Sequence, residues 1–415
     1  MQIMAGKTLL VFLEKVFQLA KKWCGDDFAR NMTAFIAERE RLLRSSWRKL
    51  PPEDLLSTEK QQILREIDFD IIISNAGKHL SKKEFPEFLY DVSSLAIDSG
   101  ELEKADRLLQ LIIAKYSSIT KKVLKANVHY KMGIIAFYRS NFSAALTEYN
   151  KSLRIYTETE DKKGISTVLN TIGVVLIEQG STSQGVSQFN RAKKIAISEN
   201  LKDLTAKINM NLGNAFTIRG MWKEAKNSYE EVLTALGNRQ ANSNRAQILH
   251  NLAIVDTAVG KLDEALEYIK KSIDYSKSVN NPHMKALFYL AESVIYCKQG
   301  DYASATALAT TAFQLFSDMG DRLSIADVYK VFGIINRDSK RYDTAMSYFE
   351  NSKRINEDHN NSLNLGETLL EMALLQKEMG DIDRASESIQ TAMKAFKRIE
   401  AEARIENAKE ILTSL

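Results

Sequence analysis

Apolar residues recur every three to four positions through most of the chain, the spacing of amphipathic helices. Residues 206–219 carry Ile208, Leu212, Ala215 and Phe216 on one stripe, and residues 222–236 carry Ala225, Tyr229, Val232 and Leu236 on another. Gly220 stands between them, where a left-handed glycine would end the first helix. This helix–turn–helix pattern returns with a fixed step. The closing small position of the tract Gly-x-x-x-x-Ala falls at Ala105, Ala145, Gly185, Ala225, Ala265, Ala305, Ala345 and Ala385, forty residues apart each time. Twelve residues before each lies a second small position: Ser93, Gly133, Gly173, Gly213, Ala253, Ser293, Gly333 and Ala373. A third column, Leu102, Phe142, Thr182, Trp222, Leu262, Tyr302, Tyr342 and Ile382, is large and apolar in seven of eight units. Two helices of this length cross closely only where no bulky side chain stands at the contact, so both small columns have one cause.

The pattern predicts an all-α chain with eight forty-residue helix pairs over residues 86–405. A single pair cannot bury its own apolar face, and stacked pairs share a continuous core. Residues 403–415 are predicted to cap the stack through Ile405, Ala408, Ile411 and Leu412, with 406–415 lying beyond the last repeat. The register ends at residue 86, because forty residues before Ala105 and Ser93 stand Arg65 and Glu53. Residues 1–85 are therefore a separate helical module, with helices predicted at about 7–24, 27–49 and 58–80. Pro51-Pro52 breaks the second from the third, and Thr58 with Gln61 has the form of a capping box. The module reads as a three-helix bundle packed on the first repeat, or as a device for self-association or effector docking.

The repeat resembles the tetratricopeptide repeat (TPR), with a bulky, small and bulky residue on helix A, the first of each pair, and Ala, an aromatic and Ala on helix B, the second. The third unit carries the pattern in Leu169, Ile172, Gly173 and Leu176, then Gly185, Phe189 and Ala192. The seventh carries it in Tyr329, Phe332, Gly333, Ala345, Phe349 and Ser352. Two features depart from the family. The unit is forty residues long rather than about 34, and the closing proline is absent. Both fit a variety in which helix B runs further before a polar link such as Glu199–Asp203 or Glu357–Ser362. The resemblance implies a right-handed α-solenoid with a concave groove.

Composition narrows the class. Charges nearly balance, 57 Lys and Arg against 53 Asp and Glu, so no basic footprint for nucleic acid is present. Residues 1–85 hold 15 basic and 12 acidic side chains, too small an excess to change this. Two cysteines, Cys24 and Cys297, cannot form a disulfide framework, which points to a reducing, cytoplasmic setting. The apolar stretch at residues 8–20 is interrupted by Glu14 and Lys15 and is too short to span a bilayer. No membrane partner is expected.

Catalytic chemistry finds no residue set. His79, His129, His250, His283 and His359 include no i, i+4 pair, and no Cys-x-x-Cys occurs, so neither a metal nor another cofactor is expected. Gly6-Lys7-Thr8 lacks the strand and first glycine of a phosphate loop. Trp23, Trp47 and Trp222 read as core or capping residues. The chain reads as a non-enzyme.

The groove remains. The TPR resemblance places its inner wall on helix A, at the second, fifth, sixth, ninth and twelfth positions of each unit. In the fourth unit these include Lys207, Met210, Asn211 and Asn214, in the fifth Gln247, His250 and Asn251, and in the third Asn170. Asparagine offers donors and an acceptor, so it can pair with the backbone of an extended peptide regardless of sequence. Asn214 and Asn251 occupy the places of the family's peptide-gripping asparagines. Met210, Leu287 and Ala291 stand where its carboxylate clamp has basic residues, so a free C-terminal carboxylate is not implied. Leu287, Leu290, Val294, Ile334, Leu370 and Leu374 form either an apolar patch for a partner helix or part of the superhelical packing. The expected function is a non-catalytic scaffold or adaptor that holds a partner's peptide or helix in the groove. The alternative is a peptide- or ligand-regulated switch acting through residues 1–85. Peptide-sensing regulators of the Rap type resemble this chain in layout, with a helical module before forty-residue TPR units.

Overall fold

A computed structural model of the chain describes residues 2–47, 58–237, 242–277 and 281–415. Among the described residues there are twenty α-helices and no strand. Three precede the repeats: α1 (Gln2–Cys24), α2 (Asp26–Trp47) and α3 (Thr58–His79). The pairs follow as α4 (Glu84–Asp98) and α5 (Leu102–Tyr116), α6 (Lys122–Tyr138) and α7 (Phe142–Glu158), α8 (Lys162–Glu178) and α9 (Thr182–Ser198), and α10 (Lys202–Arg219) and α11 (Trp222–Leu236). The array continues with α12 (Asn242–Ala258) and α13 (Leu262–Ser276), α14 (Pro282–Gln299) and α15 (Tyr302–Met319), α16 (Arg322–Asp338) and α17 (Tyr342–Asp358), and α18 (Ser362–Glu378) and α19 (Ile382–Arg398). The last helix is α20 (Glu402–Thr413). Pro51-Pro52 and the side chains of Trp47, Thr58 and Gln61 lie outside the described residues.

The turns keep the forty-residue register. Gly180, Gly220, Gly260, Gly300 and Gly380 take positive φ between helix A and helix B, as Ser140 and Lys340 do in other units. Asn281, Asp301, Asp321, Asn361 and Asp381 cap the helices that follow them, each side chain accepting from a backbone N–H three residues on. The small columns are explained by close crossings. A Cβ added to Gly213 would lie 2.4 Å from Cε1 of Tyr229, and one on Gly333 2.4 Å from Cε1 of Phe349. Helix A stays bare at this point so that the aromatic of helix B can lie across it.

The chain forms two compact units, Met1–Val168 and Leu169–Leu415. In the first, a single core runs from Phe12 and Val16 on α1, through Phe69 and Ile72 on α3, to Phe88, Leu109 and Val128 in the first two repeats. Trp23 edges onto Phe88 and donates its indole N–H to Asp91. In the second, successive pairs stack, and Ala408 of α20 is buried against Ala373, Ala385 and Ile389, with Ile411 and Leu412 beside it. This unit also closes on itself. Thr182 Oγ1 donates to the carbonyl of Ile399 at 2.9 Å, and Arg404 reaches the end of α10.

Candidate functional site

The A helices of the third, fourth and fifth repeats set asparagines side by side. Asn211 on α10 donates to Oδ1 of Asn170 on α8 at 2.9 Å. One turn further along α10, Oδ1 of Asn214 accepts from Asn251 of α12 at 3.2 Å and from the Tyr229 hydroxyl at 2.8 Å. The Asn251 amide also lies 3.7 Å from Sδ of Met210. These bonds fix the orientation of both amides. They occupy the carbonyl of Asn214 and the Nδ2 group of Asn251, and among the described residues the Nδ2 of Asn214 and the Oδ1 of Asn251 bond to nothing. A donor and an acceptor are thus left on neighbouring helices, the complement of one peptide unit.

Beside them is a cavity of about 210 Å³ lined by Asn214, Thr217, Ile218, Tyr229, Asn251 and Ile254. Tyr229 is buried, and its ring fills the space that Gly213 leaves. Burial pushes its phenol up to about 12, so the hydroxyl stays a donor to Asn214 at neutral pH. Ile254, exposed by 38%, forms an apolar edge.

The other residues expected at this wall are placed differently. Lys207 and Gln247 are exposed on their helices. Asn170 is buried, and it supports Asn211 rather than facing open space. His250 is buried with its ring 5.4 Å from that of Phe288. Desolvation holds its imidazole down to about 4, so it is neutral and structural in character. Of the eight, Met210, Asn211, Asn214 and Asn251, with Asn170 behind, come together as one set.

The wall continues with charges. The second, fifth and twelfth positions of the seventh unit are Asp327, Lys330 and Arg337, and the second and sixth of the eighth are Glu367 and Glu371. Lys330 Nζ lies 2.6 Å from Glu367 and 3.3 Å from Asp327, and Arg337 lies 2.6 Å from Glu371. Arg404 adds a second cation to Glu367 at 2.7 Å. Burial pushes the Glu367 carboxyl up, but Lys330 and Arg404 outweigh it and hold it at about 2. Burial likewise works against the charge on Lys330, yet Glu367 and Asp327 raise its pKa. These side chains were legible by extending the same position count to the last two units. Five of the six apolar side chains singled out in this region take part in core packing. Leu290 is buried in the sixth-repeat core with Leu287, Val294 and Ile334 against it, and Leu370 packs on the eighth.

Among the described residues no group of three or more His, Cys, Asp or Glu side chains is arranged to hold a metal ion. None of the described helices is long and apolar enough to cross a membrane. Cys24 and Cys297 are free thiols.

Comparison with known proteins bears on the repeat and the fold. The tetratricopeptide repeat family model matches residues 205–278, from α10 to the end of the α12–α13 pair. The chain is similar to Response regulator aspartate phosphatase I of Bacillus subtilis (strain 168), at 23% identity over 232 residues. That match covers 55% of this chain and 56% of the relative, so it spans about half the length of each. Among solved structures, the apo form of the quorum sensor NprR from B. thuringiensis superposes with a TM-score of 0.61 at 14% identity, covering 87% of this chain and 99% of that one. The Rap conjugation gene regulator of the plasmid pLS20, solved in complex with the Phr peptide, gives 0.57 at 16% identity, covering 79% and 93%. At these identities the likeness is one of fold. The forty-residue columns, the twenty-helix architecture and the matched family together make this chain a tetratricopeptide-repeat protein.

Proposed function

We propose that the protein is a non-catalytic TPR regulator that grips an extended peptide segment of a protein partner along the A helices of its third to fifth repeats. The observation that carries this is the oriented pair Asn214 and Asn251, with one amide donor and one carbonyl acceptor left unbonded beside an apolar-edged cavity. Hydrogen bonds to peptide backbone give affinity with little dependence on sequence, and neighbouring side chains then select. The ion pairs of α16 and α18 satisfy one another, which favours a positioning wall over reacting groups.

A second reading is a peptide-sensing switch whose output passes through α1–α3. It is favoured by the fold shared with a quorum sensor and with a Rap regulator solved with a peptide. Both readings place the protein in a reducing compartment such as the cytoplasm, in keeping with its two free thiols.

Affinity capture tests the proposal. Peptides and proteins retained from lysate by the full chain are compared with those retained by an Asn211→Ala/Asn214→Ala/Asn251→Ala variant of unchanged helical circular dichroism. The proposal expects a specific species to be lost from the variant; retention of every species by both would overturn it. Because one relative is named a phosphatase, a phosphorylated response regulator is incubated with the protein in parallel. A constant phosphate level is expected, and catalytic loss of phosphate would replace the non-catalytic reading.

A further inference from the structure

The second unit is fastened by contacts that join residues far apart in the chain. Arg404, two residues into α20, donates from Nε to the carbonyl of Ile218 at 2.8 Å and from Nη2 to that of Thr217 at 3.0 Å. Helix ends leave carbonyls without intrahelical donors and carry partial negative charge, so a guanidinium is well matched there. Its Cζ lies 5.1 Å from the centroid of the Trp222 ring, and its Nη1 pairs with Glu367. Arg219 pairs with Glu402 at 3.0 Å, and the N–H of Ser183 donates to the Glu400 carboxylate at 2.7 Å.

The sequence is fitted to this contact. A Cβ on Gly180 would stand 2.4 Å from the carbonyl oxygen of Arg398, and one on Gly220 3.2 Å from Cγ of Arg404. The corresponding turn glycines Gly260, Gly300 and Gly380 have nothing within 4 Å. Thr182, the one polar residue in its apolar column, spends its hydroxyl on Ile399. Among the described residues, the fastening is made of ion pairs and hydrogen bonds, and no apolar cluster joins α10 to α19 or α20. Glu402 is 62% exposed, so its pair with Arg219 is open to screening by salt, whereas the largely buried Arg404 is screened less.

The fastening also touches the peptide wall. Thr217 offers its carbonyl to Arg404, lines the cavity beside Asn214, and lies with its hydroxyl 3.3 Å from that of Tyr229. Tyr229 in turn donates to Asn214. On the other side, Glu367 carries Arg404 into the ionic wall of α16 and α18.

We infer that residues 398–404 are a clasp that opens to admit a peptide to the A-helix wall from the side and recloses over it. The inference rests on the peptide reading above, and it assigns that site a gate. With the clasp shut, residues 399–404 stay bonded to α9 and the end of α10 beside that wall. With it open, an extended segment can be laid against Asn214 and Asn251 and is then held as Arg404 returns to α10.

Two measurements on the full chain test this, in a Cys24→Ser/Cys297→Ala background. Spin labels at Ser187→Cys and Lys394→Cys report the distance between α9 and α19 without any ligand. The clasp predicts one narrow distribution at low salt, and a second, longer population with Arg404→Ala, with Glu402→Ala, or in about 1 M salt. A single unchanged distribution in all of these overturns the clasp. A pool of random-sequence hexapeptides is then passed over the immobilised parent and the Glu402→Ala variant, whose changed side chain is exposed. The gate predicts association and release at least about tenfold faster in the variant. Equal rates despite an opened clasp overturn the gate and leave the peptide reading standing. Failure of both proteins to retain any peptide overturns the peptide reading and the gate together.

Discussion

Asn251 donates its side-chain amide to Oδ1 of Asn214 across 3.2 Å, from one A helix to the next. The bond orients two amides that would otherwise rotate freely on exposed helix faces. It turns a pair of poor helix formers into a fixed donor and acceptor. Removing either partner therefore disorders the other. Asn214→Ala is expected to weaken retention of a peptide nearly as much as the double variant, a non-additive result that a double-mutant cycle detects.

Gly213 tests the crossing of helix A and helix B. Its added Cβ would stand 2.4 Å from Tyr229, whose ring is buried and whose hydroxyl holds Asn214. Gly213→Ala is expected to destabilise the protein by about 1–3 kcal/mol, as overpacking does. The same variant should impair peptide retention, because Tyr229 must move. Thermal unfolding and the capture assay check the two effects separately.

His250 gives a pH dependence. Its folded-state pKa is depressed to about 4 by burial, below the ordinary value near 6.5. The unfolded chain therefore binds the proton more readily. The contribution to stability is complete above about pH 6.5 and is lost as pH falls toward 4. His250→Phe is expected to remove on the order of 1–3 kcal/mol of this acid sensitivity. Denaturant midpoints at several pH values between these limits, for parent and variant, measure it.

Arg337 tests the ionic wall. It is 11% exposed and pairs with Glu371 at 2.6 Å and Asp338 at 2.9 Å. Arg337→Met leaves Glu371 without this cation and is expected to cost roughly 2–3 kcal/mol. The double variant Arg337→Met/Glu371→Leu should recover much of the loss. Paired urea titrations decide this.

Much of the fold was legible because the crossing of two helices constrains several positions at once. Gly213, Ala225 and Tyr229 must change together, so the forty-residue columns survive while the surrounding sequence varies between units. The candidate site was legible by position alone. Counting along helix A reaches Asn211, Asn214 and Asn251, but it does not reveal that Asn170 and His250 turn into the core. Their burial depends on neighbours such as Phe288, which is 38 residues beyond His250. The ionic wall lay at the same counted positions, hidden among leucines that periodicity marks more strongly. The fastening of residues 398–404 to α9 and α10 was not legible, because it joins residues 217 apart in the case of Thr182 and Ile399. Its traces were Thr182 in an apolar column and the single large Trp222.

The central claim is that oriented asparagines grip a peptide backbone. It is tested most directly by titrating a peptide recovered from the hexapeptide pool into the parent and into Asn214→Ala/Asn251→Ala, by isothermal calorimetry. The account predicts at least about a tenfold loss of affinity in the variant, as expected for removed hydrogen bonds in a partly buried site, with the helical signal unchanged. Equal affinity in the two proteins would contradict it.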